Sequence, residues 1–222
     1  MIVAVAGGKG GVGKSTLALN LGAALDAVVV DADLAMADLP EGRGPDLHDV
    51  LAGRADPLEA VRSGPVAMVP CGRTLAGARA ADPRELVDVV ETVAAEHGTV
   101  VVDAPSGMAA DAGLALHAAD RSVLVTTADE SAVAGALRTR ELARALGAGV
   151  AAVALNRCER PPPRRVVRDA LGAPVTAIPE SDAIAEARRR GRPVAGDHVA
   201  ASRIRELAAA VRDAAPPQSG RS

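Results

Sequence analysis

The chain has 222 residues and a formal net charge of −3, with 49% hydrophobic and 24% charged residues, the size and composition of one globular domain rather than a disordered chain. It contains no Phe, Tyr or Trp, which excludes nucleic-acid recognition by stacking bases on aromatic rings. Cys71 and Cys158 lie far apart without a CxxC pair, which argues against a thiolate zinc or iron–sulfur site; with no basic-then-apolar leader and no membrane-length apolar run, a reduced, cytoplasmic protein is expected.

Apolar, β-branched runs bounded by turn residues recur at 2–6, 27–31, 66–69, 99–103, 122–126, 150–155 and 174–178. Helical patterns separate most of them, at 14–25, 84–96, 129–146, 164–171 and 199–213. That alternation predicts a doubly wound α/β fold with a mostly parallel sheet of about seven strands and helices on both faces. The runs Val28-Val29-Val30-Asp31 and Val100-Val101-Val102-Asp103 are apolar without alternation, as in strands covered on both sides. Asp56-Pro57-Leu58-Glu59 and Asp82-Pro83-Arg84-Glu85 each read as a helix start, with Asp at the N-cap, Pro next and Glu at the third position. No internal repeat or linker divides the chain. A single domain over 1–213 is expected, with 214–222 (AAPPQSGRS) as a disordered tail.

The chain has 50 alanines and 23 arginines but two lysines, Lys9 and Lys14, both in one Gly-rich segment. A chain that uses arginine everywhere else needs a compact ammonium there. Gly8-Lys9-Gly10-Gly11-Val12-Gly13-Lys14-Ser15-Thr16 fits GxxxxGK[ST] between a predicted strand and a predicted helix. The glycines let successive N–H groups turn toward phosphate oxygens, and the helix N-terminus adds its dipole. Lys14 is expected on the β- and γ-phosphates, Ser15 on Mg²⁺ and Thr16 on the α-phosphate. Asp31, Asp33 and Asp103 end two buried strands, where an open α/β sheet places its ligand crevice. Acids there face phosphates only across a cation. That makes Asp103 the Walker B acid, holding Mg²⁺ through water, and sets Asp31 near the same shell. Gly107, in the loop after Asp103, could offer its N–H to the γ-phosphate.

The extra lysine in KGGVGKS is the deviant Walker A signature, and on it the chain resembles the MinD/ParA family of dimeric P-loop ATPases. The resemblance covers about residues 1–195. It implies ATP and Mg²⁺ as cofactors, slow ATP hydrolysis and an ATP-dependent homodimer that acts as a positioning or regulatory switch with an unidentified protein partner or activator. It gives Lys9 a part in catalysis across the dimer interface, on the partner's nucleotide. Asp33 resembles the aspartate that positions the attacking water, and with Ser15 and Asp103 it is expected around the Mg²⁺. Asp38 stands where the MinD branch usually has Asn. Asn156 matches the position that reads the adenine edge, and Pro179 and Glu180, in the stretch most similar to MinD, match the residues beside the base; for Asn156 and Glu180 plain strand-to-helix capping, with Ser181 or Asp182 as the cap, competes.

Charge is asymmetric: residues 1–155 carry 12 basic and 20 acidic residues, and 156–222 carry 13 and 8. Arg188-Arg189-Arg190 and Arg192 are either a solvated helix end or a site for an anionic partner, including weak, sequence-independent DNA contact. A ParA-like DNA partition ATPase and a nucleotide-binding regulator with negligible turnover are the rival functions. The helix at 199–213 puts Ile204, Leu207 and Val211 on one face, as a helix docked on the body. The family's membrane-cycling members end in a basic amphipathic helix with bulky apolar residues, where this chain has Pro216-Pro217-Gln218-Ser219-Gly220, so no stable membrane binding is expected.

Overall fold

A computed structural model describes residues 1–34, 39, 43–72, 74–107, 110–158 and 162–214. Seven strands, β1 (Ile2–Ala6), β2 (Val28–Asp31), β3 (Met68–Val69), β4 (Val100–Asp103), β5 (Arg121–Thr126), β6 (Gly149–Cys158) and β7 (Val175–Pro179), form one sheet in the order β3-β2-β4-β1-β5-β6-β7. Every pairing in it is parallel. The expected sheet is therefore present; the one antiparallel contact among the described residues is an isolated bridge from Arg62 to Met68. The helices are α1 (Lys14–Leu25), α2 (Leu47–Leu51), α3 (Leu75–Ala80), α4 (Leu86–His97), α5 (Ala110–Ala118), α6 (Glu130–Ala145), α7 (Arg164–Leu171), α8 (Asp182–Arg189) and α9 (Val199–Asp213).

Alternation along the strands sends side chains to two cores. Ile2, Ala4 and Ala6 pack with Leu86, Val90 and Val93 of α4 on one face. Val3 and Val5 pack with Leu17 and Leu21 of α1 and Leu207 and Val211 of α9 on the other. The expected docking face of α9, Ile204, Leu207 and Val211, is buried. With no aromatic rings to fill space, helices approach through alanine and glycine: Gly22 of α1 lies against Val29, where a Cβ would overlap it.

Two readings of the helix starts need correction. Asp82 caps a 3-10 turn, Pro83–Glu85, and α4 begins only at Leu86. Asp56 caps a single turn: its carboxylate accepts from Leu58 N at 2.8 Å, and no helix follows. The next residues explain this. Arg62 is already extended and paired with Met68, and Gly64-Pro65 turns the chain between them. Asp38 and residues 215–222 lie outside the described residues.

Candidate nucleotide site

The phosphate loop leaves β1 and enters α1 in the expected place. Gly13, the N-cap of α1, has φ 100°, and Gly11 has φ 77°. Both are left-handed conformations that an L side chain resists, so the loop's curl depends on glycine. Gly8 has a different reason to be glycine: its backbone lies against that of Gly135 in α6, where a Cβ would overlap.

Lys14 is only 7% exposed, and its ammonium donates to the Ser106 hydroxyl in the loop after β4. Gly107, at φ 91°, donates its N–H to the Gly7 carbonyl at 3.3 Å. The loop after β4 thus closes on the phosphate loop through two bonds, and the Gly107 N–H is engaged there rather than turned to the cleft. Lys14, Ser15, Thr16, Asp33 and Ser106 line a cleft of about 160 Å³ together with Gly10, Gly11 and Gly13.

Asp31 and Asp103 are register partners at the ends of β2 and β4, and they are 0% and 1% exposed. Asp31 accepts from the backbone N–H groups of Asp33 and Leu39, both at 3.4 Å. Both carboxylate oxygens of Asp103 are buried without a hydrogen bond of good geometry. Burial, and then the Asp31 charge, push the Asp103 carboxyl far above the usual carboxylate range; the nearby Ser15 hydroxyl and Lys14 pull it back only in part. Two buried carboxylates side by side cannot both ionise unless a cation joins them. Among the described residues no cluster of three or more His, Cys, Asp or Glu is placed as a metal-ligand set. This donor set fits Mg²⁺, which takes one or two protein oxygens and completes its shell with water and phosphate. Ser15 and Asp103 would hold it, with Asp33 beside them.

A second cleft of about 530 Å³ adjoins the first and is lined by Asn156, Pro179, Glu180 and the start of α8. Asn156 is buried, and its amide nitrogen donates to the Val12 carbonyl at 2.8 Å. It therefore braces the phosphate loop while facing the cleft. The capping expected at this strand end is present: Ser181 caps α8, its hydroxyl accepting from Ile184 N, and Glu180 lines the cleft beside it. Asn20 is structural, tying Thr16 to Val194.

Lys9 is exposed, and its ammonium donates to Asp129 at 3.1 Å and to Ser131 at 2.7 Å. Asp129 and Ser131 were not singled out in the sequence. The only signal was the N-cap pattern before α6, which Asp129 fulfils by accepting from Ala132 N. Ser106 and Gly135 were likewise given no role, because each acts on a residue remote in the chain. The basic cluster is less open than its composition suggests. Arg189 and Arg190 pair with Glu186 at 2.5 and 2.8 Å, and Arg188 and Arg189 line the second cleft. Of the histidines, His48 is buried in the core, its Nε2 3.2 Å from the Leu34 carbonyl, and His198 caps α9. Cys71 and Cys158 are both buried free thiols. No helix among the described residues is long and apolar enough to cross a membrane.

Residues 3–194 match the model of the CobQ/CobB/MinD/ParA nucleotide binding domain. An uncharacterised ATP-binding protein of Methanocaldococcus jannaschii is 32% identical over 93% of this chain and 86% of its own length. The cell-division ATPase MinD of Pyrococcus furiosus superposes with a TM-score of 0.89 at 28% identity, covering 95% of this chain and 98% of that one. MinD of Pyrococcus horikoshii, complexed with Mg-ADP, gives the same score and identity over 96% of each chain. With the phosphate loop, its second lysine and the paired strand-end carboxylates in place, the chain belongs to the MinD/ParA family of P-loop ATPases.

Proposed function

We propose that this chain is an ATP-driven switch: it binds ATP with Mg²⁺, dimerises on it and hydrolyses it slowly. The supporting observation is the buried Asp31–Asp103 pair next to Ser15 and Lys14 of the phosphate loop, a pair of carboxyls that a bound cation would allow to ionise together. Ser15 and Asp103 would hold Mg²⁺, which would supply positive charge beside the β- and γ-phosphates. Lys14 binds those phosphates once it leaves Ser106, and Thr16 takes the α-phosphate. Asp33, half-buried at the rim, orients the attacking water. Asn156, Pro179 and Glu180 surround the base.

Lys9 completes a partner's site by crossing a face-to-face interface, where its charge stabilises the charge that develops on the transferred phosphoryl group. The role in the cell is positioning or regulation, with an activating protein partner. The likeness to MinD structures at 28% identity favours the MinD-like switch over a DNA partition ATPase.

The test is Asp33→Ala. The variant should bind MgATP as the parent does and elute as a stable dimer in light scattering, while single-turnover hydrolysis falls about 100-fold, in the range for a lost water-positioning group. Parent-like hydrolysis removes Asp33 from the chemistry. Absence of an ATP-dependent dimer in both proteins removes the switch.

A further inference from the structure

The two clefts described above share four residues: Gly13, Thr16, Arg157 and Arg188. A nucleotide with its base in one cleft and its phosphates in the other must pass between them. Gly13 and Thr16 belong to the phosphate loop. Arg157 and Arg188 come from the far wall, at the end of β6 and on α8.

Arg157 is held there at a conformational cost. It has φ 51°, one of two non-glycine residues with positive φ among the described residues. It sits in a β-bulge: Leu155 pairs with Ala177 and Cys158 with Pro179, so β6 spends one residue more than β7 over the same stretch. A bulge re-aims side chains. Here it lets Asn156 turn inward to Val12 while Arg157, next in sequence, stays exposed and lines both clefts. A left-handed arginine at the edge of a ligand site is strain that points to a use. Arg188 is also exposed and reaches the same junction from α8.

We propose that Arg157 and Arg188 form a guanidinium clamp on the α-phosphate of the bound nucleotide, opposite Thr16 and the phosphate loop. The inference rests on the nucleotide-site reading above and goes beyond it, since neither arginine belongs to the phosphate-loop or strand-end motifs. The chemistry is direct: a planar guanidinium presents parallel N–H groups to phosphate oxygens, and at a half-open cleft its charge is only partly screened. The anionic ligand of Arg188 is then the nucleotide itself. Because the α-phosphate is common to ADP and ATP, the clamp holds both alike, whereas Lys9 acts on turnover.

The experiment is calorimetric titration of MgADP and MgATP into the parent, Arg157→Asn, Arg157→Lys, Arg188→Gln and Arg188→Lys. Asn tolerates the left-handed backbone at 157, so that variant removes the charge without forcing the bulge. The neutral variants should lose about ten- to a hundredfold in affinity, the range for a charge-assisted hydrogen bond, by the same factor for ADP and ATP. The lysine variants should fall between them and the parent, and unfolding midpoints should stay parental. Parental affinity in the neutral variants overturns the clamp. A loss confined to ATP also overturns it, because it assigns the arginines to the γ-phosphate. If the parent itself binds neither nucleotide, the nucleotide-site reading falls and the clamp with it; an intact parent with unaffected variants removes the clamp alone.

Discussion

The ammonium of Lys9 lies 3.1 Å from the carboxylate of Asp129, a residue 120 positions further along the chain. Ser131 supplies a second acceptor at 2.7 Å, and the Ser131 hydroxyl in turn donates to Asp129. The signature lysine is therefore docked on its own subunit, against the N-terminus of α6. Ser131, then Lys9 and the Ala132 N–H, hold the Asp129 carboxyl down at about 2, below its ordinary 3.8. The carboxylate is therefore charged at neutral pH and loses its charge only as pH falls toward that value. If Lys9 works on a partner's nucleotide, it must first leave Asp129.

Asp129→Asn should release it. Asn keeps the helix cap that Asp129 provides to Ala132 N and removes the charge. Since exposed ion pairs are weak, the gain in ATP-dependent dimerisation or turnover should be about two- to fivefold. Sedimentation and steady-state ATPase measure it. The double variant Lys9→Ala with Asp129→Asn should show no gain; a gain there would mean that Asp129 acts by another route.

Lys14→Ala should lose MgATP binding by more than about 100-fold, since it removes the buried cation at the phosphate subsite and a charge-assisted bond there is strong. It also leaves Ser106 without its donor, so the loop after β4 should exchange its amide hydrogens faster. Calorimetry and hydrogen exchange check the two effects separately. Tight binding by the variant would contradict the phosphate-loop assignment.

Gly135→Ala tests the contact between α6 and the phosphate loop. A Cβ at 135 would lie 3.0 to 3.2 Å from the backbone of Gly8, tighter than ordinary packing. The helix must shift or the loop must move, at a cost of about 1–3 kcal/mol for an overpacked site. Nucleotide affinity should fall along with the unfolding free energy. An exposed glycine at 98, with open space around its Cβ position but φ 81°, supplies the comparison: Gly98→Ala should cost stability through backbone strain and leave affinity alone.

Cys71 sets a pH dependence at the alkaline end. Burial first, then the charges of Asp31, Asp46 and Asp33, push its thiol from 9.0 up to about 12. Above pH 9 the unfolded chain loses this proton while the folded chain keeps it, so stability present below pH 9 is lost as pH rises toward 12. Urea midpoints should therefore decline over that interval, and Cys71→Ala should decline less. At neutral pH neither cysteine should react with iodoacetamide until the chain unfolds, since both are buried and both thiols are raised.

Much of the site was legible because it is local. The phosphate loop, its two lysines and the strand-end acids each occupy a few consecutive residues, and glycine, lysine and aspartate carry their chemistry wherever the loop is built. The seven strands were legible for the same reason: runs such as Val28-Val29-Val30 have no polar face to expose, so only a sheet covered on both sides accommodates them. Helix α1, Lys14–Leu25, and helix α7, Arg164–Leu171, have the bounds read from their sequence patterns.

The start at Asp56 was misread because a cap can begin a turn but cannot extend it. Whether a helix follows depends on where the chain goes next, and here β3 draws Arg62 into an extended bridge. The partners of the functional side chains were hidden for a related reason. Lys9 and Asp129, Gly8 and Gly135, and Asn156 and Val12 are each separated by more than 100 residues, and only the sheet order, which puts β5 and β6 on one side of β1, brings them into contact. The sequence by itself determined the element types and the chemistry of the loop, because both depend on neighbours along the chain. The tertiary structure decided which side chain braces which, and where Arg157 is aimed, because those depend on register, and one extra residue in β6 turns its side chain toward the cleft.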